Sequence, residues 1–237
     1  MTVCPFQPTL FPSLYVFNRA HQADTFVLMI SAQFCAANKK EDGAKGKTGQ
    51  RHMLVAGTKP VAWLGVPIVK ELQPIKTTEL KPTTEWRDNL MNELYIRYNR
   101  TPFFSQYAPT VEYILRTAVT VGELNSACFR WGHQLFELAC DIKEDIAVCE
   151  KTAGNDWVFS MVSTIGGPLI TGKPSLNYLD TKRYADANIG VVVQDWTCKP
   201  YAQISTGWTP GLSMIDALFN IGAEQTAKIV KSNTCQN

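Results

Sequence analysis

Residues 3–12 read Val-Cys-Pro-Phe-Gln-Pro-Thr-Leu-Phe-Pro, with prolines at positions 5, 8 and 12. Proline fixes φ and removes a backbone donor, so residues 5–12 are predicted to form an extended turn and not a helix or a central strand. Ser13 is a suitable N-cap, residues 14–21 have helical spacing, and residues 25–30 form an apolar run typical of a buried strand.

This order of rigid loop, helix and buried strand is typical of an α/β sheet. In such sheets ligands bind where loops leave the carboxyl ends of the strands. Gln7 is expected to lie in one of these loops. The alternative is a proline-rich surface segment that binds nothing.

Composition limits the classes of protein that the chain can form. Its 237 residues are 45% hydrophobic and 19% charged, which predicts one large domain with a sizeable core. The net charge of +2 is too small to indicate a general nucleic-acid or membrane protein, so a basic site must be local. No apolar run approaches the roughly 20 residues of a membrane span, and the N-terminus lacks a signal-peptide pattern. We therefore expect a cytoplasmic protein.

The seven cysteines are widely spaced and include no Cys-x-x-Cys pair. This pattern favours free thiols in a reducing compartment over a disulfide framework or a zinc site. The three histidines are also scattered, so neither a metal nor a cofactor is predicted. Lysines and one arginine outnumber acids by five to two in the glycine-rich segment 36–51. That segment is predicted to be a long loop that either closes over an anionic ligand or is simply solvated.

Hydrophobic periodicity over the rest of the chain predicts alternating strands and helices. We expect a single α/β domain over 1–237, with a mostly parallel sheet, flanking helices, and residues 85–142 as a helical cap or inserted subdomain. The runs 24–30 and 189–193 are expected to be neighbours in the sheet. Strands are predicted at 52–56, 61–66, 75–80, 157–162 and 189–193, and helices at 85–98, 111–119, 124–142, 178–188 and 212–230, with a loop at 163–177.

Several motifs, taken in order, resemble the WbqC-like family of bacterial proteins associated with surface-polysaccharide gene clusters. They are Phe-Gln-Pro at 6–8, Trp-Leu-Gly-Val-Pro at 63–67, Tyr-x₃-Pro-Phe-Phe at 98–104, Gly-x-x-Tyr-Leu-Asp, with an altered loop, at 172–180, Gln-Asp-Trp at 194–196, and the segment 212–222. The resemblance implies a small-group transferase that acts on nucleotide-linked or phosphorylated substrates. Two departures stand out: Phe6 replaces a histidine, and Ile30 and Ser31 replace aspartates. If those groups are acid/base machinery, this chain has lost or moved it.

The candidate catalytic residues are Asp216 and His52. Histidine can act as a general base near neutral pH. Asp216 is in the first turn of the predicted closing helix, where it either completes a capping box with Ser213 or is a buried carboxylate that orients Tyr201, Gln203 or a substrate amine. Arg51 can bind a phosphate or carboxylate through two parallel hydrogen bonds. The predicted substrate-binding set is Gln7, Arg51, Tyr178, Asp180, Tyr201, Gln203 and Ser213, although helix capping alone also explains Asp180.

Three functions are compatible with these features. The first is transfer of an acyl or aminoacyl group to a nucleotide-linked or phosphorylated acceptor in surface-glycan synthesis. The second is base hypermodification of nucleic acid by a phage-type transferase, for which the basic loop and the tryptophans provide a physical basis. The third is a non-catalytic ligand-binding protein, suggested by the loss of ionisable groups at Phe6, Ile30 and Ser31.

Overall fold

A computed structural model describes residues 1–35, 47–70, 72–152 and 154–232. Five parallel strands form the main sheet, and two antiparallel strands form a separate hairpin. The strands are β1 Val3–Phe6, β2 Thr25–Leu28, β3 His52–Val55, β4 Ala62–Gly65, β5 Asp141–Glu144, β6 Leu169–Gly172 and β7 Val191–Gln194. The main sheet has the order β5-β2-β1-β6-β7, and β3 pairs with β4. This is the predicted α/β fold with a mostly parallel sheet.

The described residues form seven α-helices around this sheet. They are α1 Leu14–Gln22, α2 Glu85–Tyr98, α3 Phe104–Thr117, α4 Val121–Leu135, α5 Gly154–Ile165, α6 Thr181–Asp186 and α7 Met214–Val230. None of them combines the length and the apolar character needed to cross a bilayer. Most of the basic segment 36–51 lies outside the described residues, which include only its last part from residue 47.

The helices form layers on both faces of the sheet. On one face Phe129 of α4 stacks on Phe26 of β2 and on Phe17 of α1, with ring centroids 4.3 and 5.4 Å apart. Helix α7 packs against α1, α3 and α4. Phe159 of α5 meets Tyr184 of α6 edge to face. Connections between parallel strands are right-handed as a rule, and with this strand order the rule puts α5 and α6 on the face opposite α1. The hydrophobic core that includes α4 is continuous with the core of the sheet. That residues 85–142 form a helical cap or inserted subdomain remains a prediction.

Pro5 lies in the central strand β1, so the prediction that residues 5–12 avoid a central strand is wrong at its first residues. The backbone explains why the strand tolerates it. Val3 donates its N–H to Pro168 on the β6 side, and alternation along the strand points the nitrogen of Pro5 to that same side. Pairing between β1 and β6 is limited to Val3 with Leu169, so the donor that Pro5 lacks falls where the ladder has already ended.

Two strands of the main sheet were missed. β5 contains Asp-Ile-Lys-Glu and alternates between exposed and half-buried residues, so it lacks the apolar run expected of a parallel strand. The predicted helix 124–142 overlaps the start of this strand, but the helix ends at Leu135, shortly before Glu137 adopts φ 50°. β6 lies within the predicted loop 163–177.

Other boundaries also differ from the predictions. The run 157–162 is helical in α5, where Trp157 and Met161 are four residues apart and both buried; short apolar runs do not distinguish strand from helix. The predicted strand 75–80 begins with the 3-10 turn Ile75–Thr77. The runs 24–30 and 189–193 share one sheet, but β1 and β6 separate them, so their predicted adjacency is wrong.

Candidate active site

The carboxyl ends of the five parallel strands meet at one edge of the sheet. Asp145 follows β5, Ser31 lies shortly after β2, Gln7 follows β1, Lys173 follows β6 and Asp195 follows β7. The winding direction changes between β1 and β6, because β2 and β5 lie on one side and β6 and β7 on the other. Ligands of open α/β sheets bind at this edge.

A polar pocket of about 270 Å³ opens at the ends of β5 and β2. Its lining combines acidic, basic and aromatic side chains: Ser31, Pro74, Lys76, Asp145, Ile146, Cys149, Glu150, Lys151 and Trp157. A larger groove of about 370 Å³ lies between α2 and α3. Its lining is mostly apolar and includes one acid, Glu112, so the smaller pocket is the better candidate for chemistry.

Asp145 is the buried carboxylate of this pocket, with 1% of its surface exposed. Its Oδ2 accepts the backbone N–H of Ser31 at 3.0 Å, and its Oδ1 accepts the N–H of Ile146 at 2.9 Å and the Ser31 hydroxyl at 3.4 Å. Burial raises the pKa of this carboxyl, although these hydrogen bonds and the nearby Lys76 oppose the shift. A carboxyl whose pKa is raised by burial suits general acid/base work.

Trp157 and two lysines complete the polar character of the pocket. The indole Nε1 of Trp157 is buried and, among the described residues, has no partner at ordinary hydrogen-bond geometry. Burial raises the pKa of the neighbouring Cys149 thiol. A hydrogen-bond interaction with the Trp157 indole lowers this pKa and so opposes the shift. Lys151 Nζ lies 5.8 Å from the centre of the Trp157 ring, while Lys76 is exposed beside Asp145. The site therefore presents two lysines beside the buried acid Asp145 and the exposed acid Glu150, with the Trp157 indole next to the Cys149 thiol.

Sequence reasoning missed Asp145 because it missed β5. The family resemblance contained a signal for it. Aspartates are expected after the first long strand, and because Ile30 and Ser31 occupy those positions, an acid from elsewhere in the chain could take their place. The structure shows a carboxylate from the adjacent strand bonded to the backbone and the hydroxyl of Ser31. An acid is thus present at the end of β2, but another strand supplies it.

Gln7 lies in the loop after β1, as its position in the sequence indicated. Its Oε1 accepts the Nε2 of Gln50 at 2.7 Å. Asn125 of α4 donates to the backbone oxygens of Pro8 and Gln50, at 3.1 and 2.8 Å. The side chain of Gln7 is exposed and held against the segment that precedes β3.

Arg51 and His52 lie at the start of the hairpin. Arg51 donates its Nε to the backbone oxygen of Val66 at 3.0 Å. His52 is buried, its Nδ1 lies 3.2 Å from the oxygen of Thr48, and its ring fills the space where a side chain at Gly65 would begin. Burial lowers the pKa of His52 to about 4, and the charge of Arg51 adds to this effect.

We expect His52 to make stability depend on pH. Between its ordinary pKa of 6.5 and about 4, the unfolded chain takes up a proton that the folded protein excludes. The free energy of unfolding should therefore fall as pH drops through this range, by about 1–2 kcal/mol after allowance for solvent screening. Urea denaturation of His52→Gln between pH 4 and 7.5 should give a flatter profile, and a profile parallel to that of the wild type would contradict this.

Asp216 is completely buried, with both carboxylate oxygens engaged. Its Oδ2 accepts the hydroxyl of Tyr98, and its Oδ1 accepts that of Tyr201, both at 2.8 Å. The Tyr98 hydroxyl in turn accepts the N–H of Ala56 at 3.0 Å. Burial raises the pKa of Asp216, and the tyrosine hydrogen bonds oppose this shift. The carboxylate makes these contacts instead of completing a capping box with Ser213.

Ser213 and Gln203 make their hydrogen bonds within the protein. Ser213 caps α7 through a 3.5 Å contact from the N–H of Ile215, and its hydroxyl donates to the oxygen of Phe11 at 2.7 Å. The Gln203 amide pairs with the backbone of Thr209 in both directions at 2.9 Å. Ser213 and Gln203 both lie beside Asp216: the backbone oxygen of Ser213 accepts the N–H of Asp216 at 3.0 Å, and the side chain of Gln203 also opposes the rise in the pKa of Asp216.

Tyr178 and Asp180 lie between β6 and α6. Asp180 caps α6 by accepting the N–H of Arg183 at 3.1 Å. The Tyr178 hydroxyl donates to Ser175 at 3.1 Å, and its ring is exposed. The predicted substrate-binding residues thus fall into three groups, near Gln7, near Asp216 and near Tyr178, and their binding roles remain predictions.

Among residues 1–35, 47–70, 72–152 and 154–232, no group of three or more histidine, cysteine or acidic side chains is arranged to hold a metal ion.

The fold and the pocket define a doubly wound α/β protein whose polar site lies at the carboxyl edge of a parallel sheet. Comparison with protein families then identifies the chain more closely. It belongs to the WbqC-like protein family, whose model matches residues 7–228. A search of curated proteins found no match.

Proposed function

We propose that the protein is a transferase that attaches an acyl or aminoacyl group to a nucleotide-linked or phosphorylated acceptor, in surface-glycan biosynthesis. Asp145 carries this proposal, because it is a buried carboxylate of raised pKa in a polar pocket at the carboxyl edge. Membership of the WbqC-like family supports the same class of reaction. The catalytic roles predicted for Asp216 and His52 are less favoured by the geometry, since Asp216 is sealed by two tyrosines.

In the proposed reaction, an amine or hydroxyl of the acceptor attacks the carbonyl carbon of an activated acyl donor, such as a thioester. The bond from the acceptor atom to that carbon forms, and the bond from the carbonyl to the leaving group breaks. Asp145 accepts the proton of the attacking group and then passes it to the leaving group. Its pKa, raised by burial, makes it a stronger base than an exposed aspartate.

Lys76 and Lys151 provide the positive charge that a phosphorylated substrate requires. Both line the pocket that contains Asp145, and lysine binds phosphate as a compact point charge. The acceptor is therefore expected to place its charged group toward these lysines and its nucleophile toward Asp145.

Mass spectrometry tests this function directly. The protein is incubated with a panel of sugar nucleotides and with acyl or aminoacyl donors, and the sugar nucleotides are analysed for added mass. We expect a gain equal to one acyl or aminoacyl group less the hydrogen that it replaces. If no donor gives a gain, while the folded protein binds duplex DNA with strong salt dependence, base modification becomes the better hypothesis.

A further inference from the structure

Arg19 of α1 is a buried cation near the carboxyl ends of β6 and β7, outside the pocket of Asp145. It is 8% exposed, and its Nε and Nη2 both donate to Gln194 Oε1, at 3.1 and 3.0 Å. The amide nitrogen of Gln194 donates to the oxygen of Tyr15 and to Asn18 Oδ1, both at 2.8 Å. These bonds point the amide oxygen at Arg19 and hold the guanidinium in one orientation.

No carboxylate in the described part of the chain pairs with this guanidinium. The acid next to Gln194, Asp195, pairs with Lys173 at 2.8 Å. The rings of Phe6 and Tyr15 lie 5.3 and 5.7 Å from Arg19 Cζ, and they attract a cation without neutralising it. Buried cations in proteins are normally paired, so an uncompensated one is a site where an anion is favoured.

The backbone at the end of β6 is shaped to accept Arg19. A Cβ atom at Gly172 would lie 2.4 Å from Arg19 Nη2, a distance that no real contact allows. The guanidinium therefore lies directly against the last residue of β6, on the β6 side of the change in winding between β1 and β6. Its Nη1 atom has no hydrogen-bond acceptor among the described residues.

We propose that Arg19 is the subsite for a phosphate group of the nucleotide-linked substrate. This inference rests on the proposed transferase function and adds a second point of attachment to it. Neighbouring strands are about 4.8 Å apart, so the ends of β5 and of β6 to β7 are separated by roughly 14–19 Å. An extended substrate then holds one phosphate at Arg19 and another charged group at the two lysines, while its nucleophile reaches Asp145.

Calorimetric titration with inorganic pyrophosphate tests the subsite. Arg19→Met should weaken binding at least tenfold, and Arg19→Lys should weaken it less because charge is kept but the planar fork is lost. Arg116→Met is the matched control, since Arg116 is exposed and paired with Asp88 and Glu112. Thermal midpoints without pyrophosphate report folding. If Arg19→Met does not fold, Gly172→Ala displaces the guanidinium and should weaken binding similarly.

The possible results separate the subsite from the function. The subsite would be overturned if neither Arg19→Met nor Gly172→Ala changed the binding of pyrophosphate. It would also be overturned if binding at Arg19 were specific for a dicarboxylate, so that malonate bound in an Arg19-dependent way and pyrophosphate did not. Arg19-dependent pyrophosphate binding without any transfer product would support the subsite and count against the transferase. Transfer with an unchanged KM in Arg19→Met would support the transferase and remove the subsite.

Discussion

Asp145→Asn is expected to slow the proposed transfer about 10²–10⁴-fold, the usual contribution of a general base. The amide cannot take the proton of the attacking group, whereas the rest of the pocket stays in place. The change is measured as the initial rate of product formation by mass spectrometry. Because burial raises the pKa of Asp145, the wild-type rate should increase with pH as this carboxyl ionises.

Asp141→Asn is the matched control for this prediction. Asp141 is the first residue of β5, the strand that Asp145 follows, and its side chain is 65% exposed. The Asp141→Asn variant should catalyse the proposed transfer at the wild-type rate. A thermal midpoint for each variant shows whether loss of the bonds to Ser31 and Ile146 has unfolded the protein. Wild-type activity in a folded Asp145→Asn would rule out Asp145 as the base and return attention to His52 and Asp216.

Tyr98→Phe should lower the free energy of unfolding by about 2–4 kcal/mol. The Tyr98 hydroxyl serves two buried groups, since it donates to Asp216 Oδ2 and accepts the N–H of Ala56. Its removal leaves both without that partner, and each unsatisfied buried group costs about 1–3 kcal/mol. Urea denaturation followed by fluorescence measures the loss.

Tyr201→Phe is the natural comparison, because the Tyr201 hydroxyl donates to Asp216 Oδ1 but, among the described residues, accepts no backbone N–H. It should cost about half as much as Tyr98→Phe. The loss in both variants should be larger at pH 7 than at pH 4. Burial already raises the pKa of Asp216, so stability is lost as pH rises and this carboxyl ionises; removing a donor raises that pKa further. Equal losses in the two variants at both pH values would show that Tyr98 does not support Ala56 and Asp216 in this way.

The first part of the fold could be predicted because its signals are local. The apolar run of β2, the spacing of α1 and the turn between β3 and β4 each lie within one short segment. The family resemblance also combined several local motifs, and the match over 7–228 confirms it.

The candidate site depends on contacts that no local pattern contains. Asp145 meets Ser31 across 114 residues, and Arg19 meets Gln194 across 175 residues. The first pair brings together the ends of two strands, and one of these strands, β5, is too polar to be recognised as a parallel strand. The second pair requires knowing that α1 meets the last residue of β7. Burial of Asp216 was an open alternative, but its partner Tyr98 is 118 residues away and was not foreseen.

Pro5 divides the main sheet into two mechanical units. Four residue pairs join β5 to β2, four join β2 to β1, and four join β6 to β7. Only one pair joins β1 to β6. Backbone pairing between the two units is therefore confined to one end of the sheet, and at the carboxyl ends the hydrogen bonds between α1 and Gln194 join them instead. Asp145 follows β5 in the first unit, whereas Gly172 and Gln194 end the two strands of the second unit.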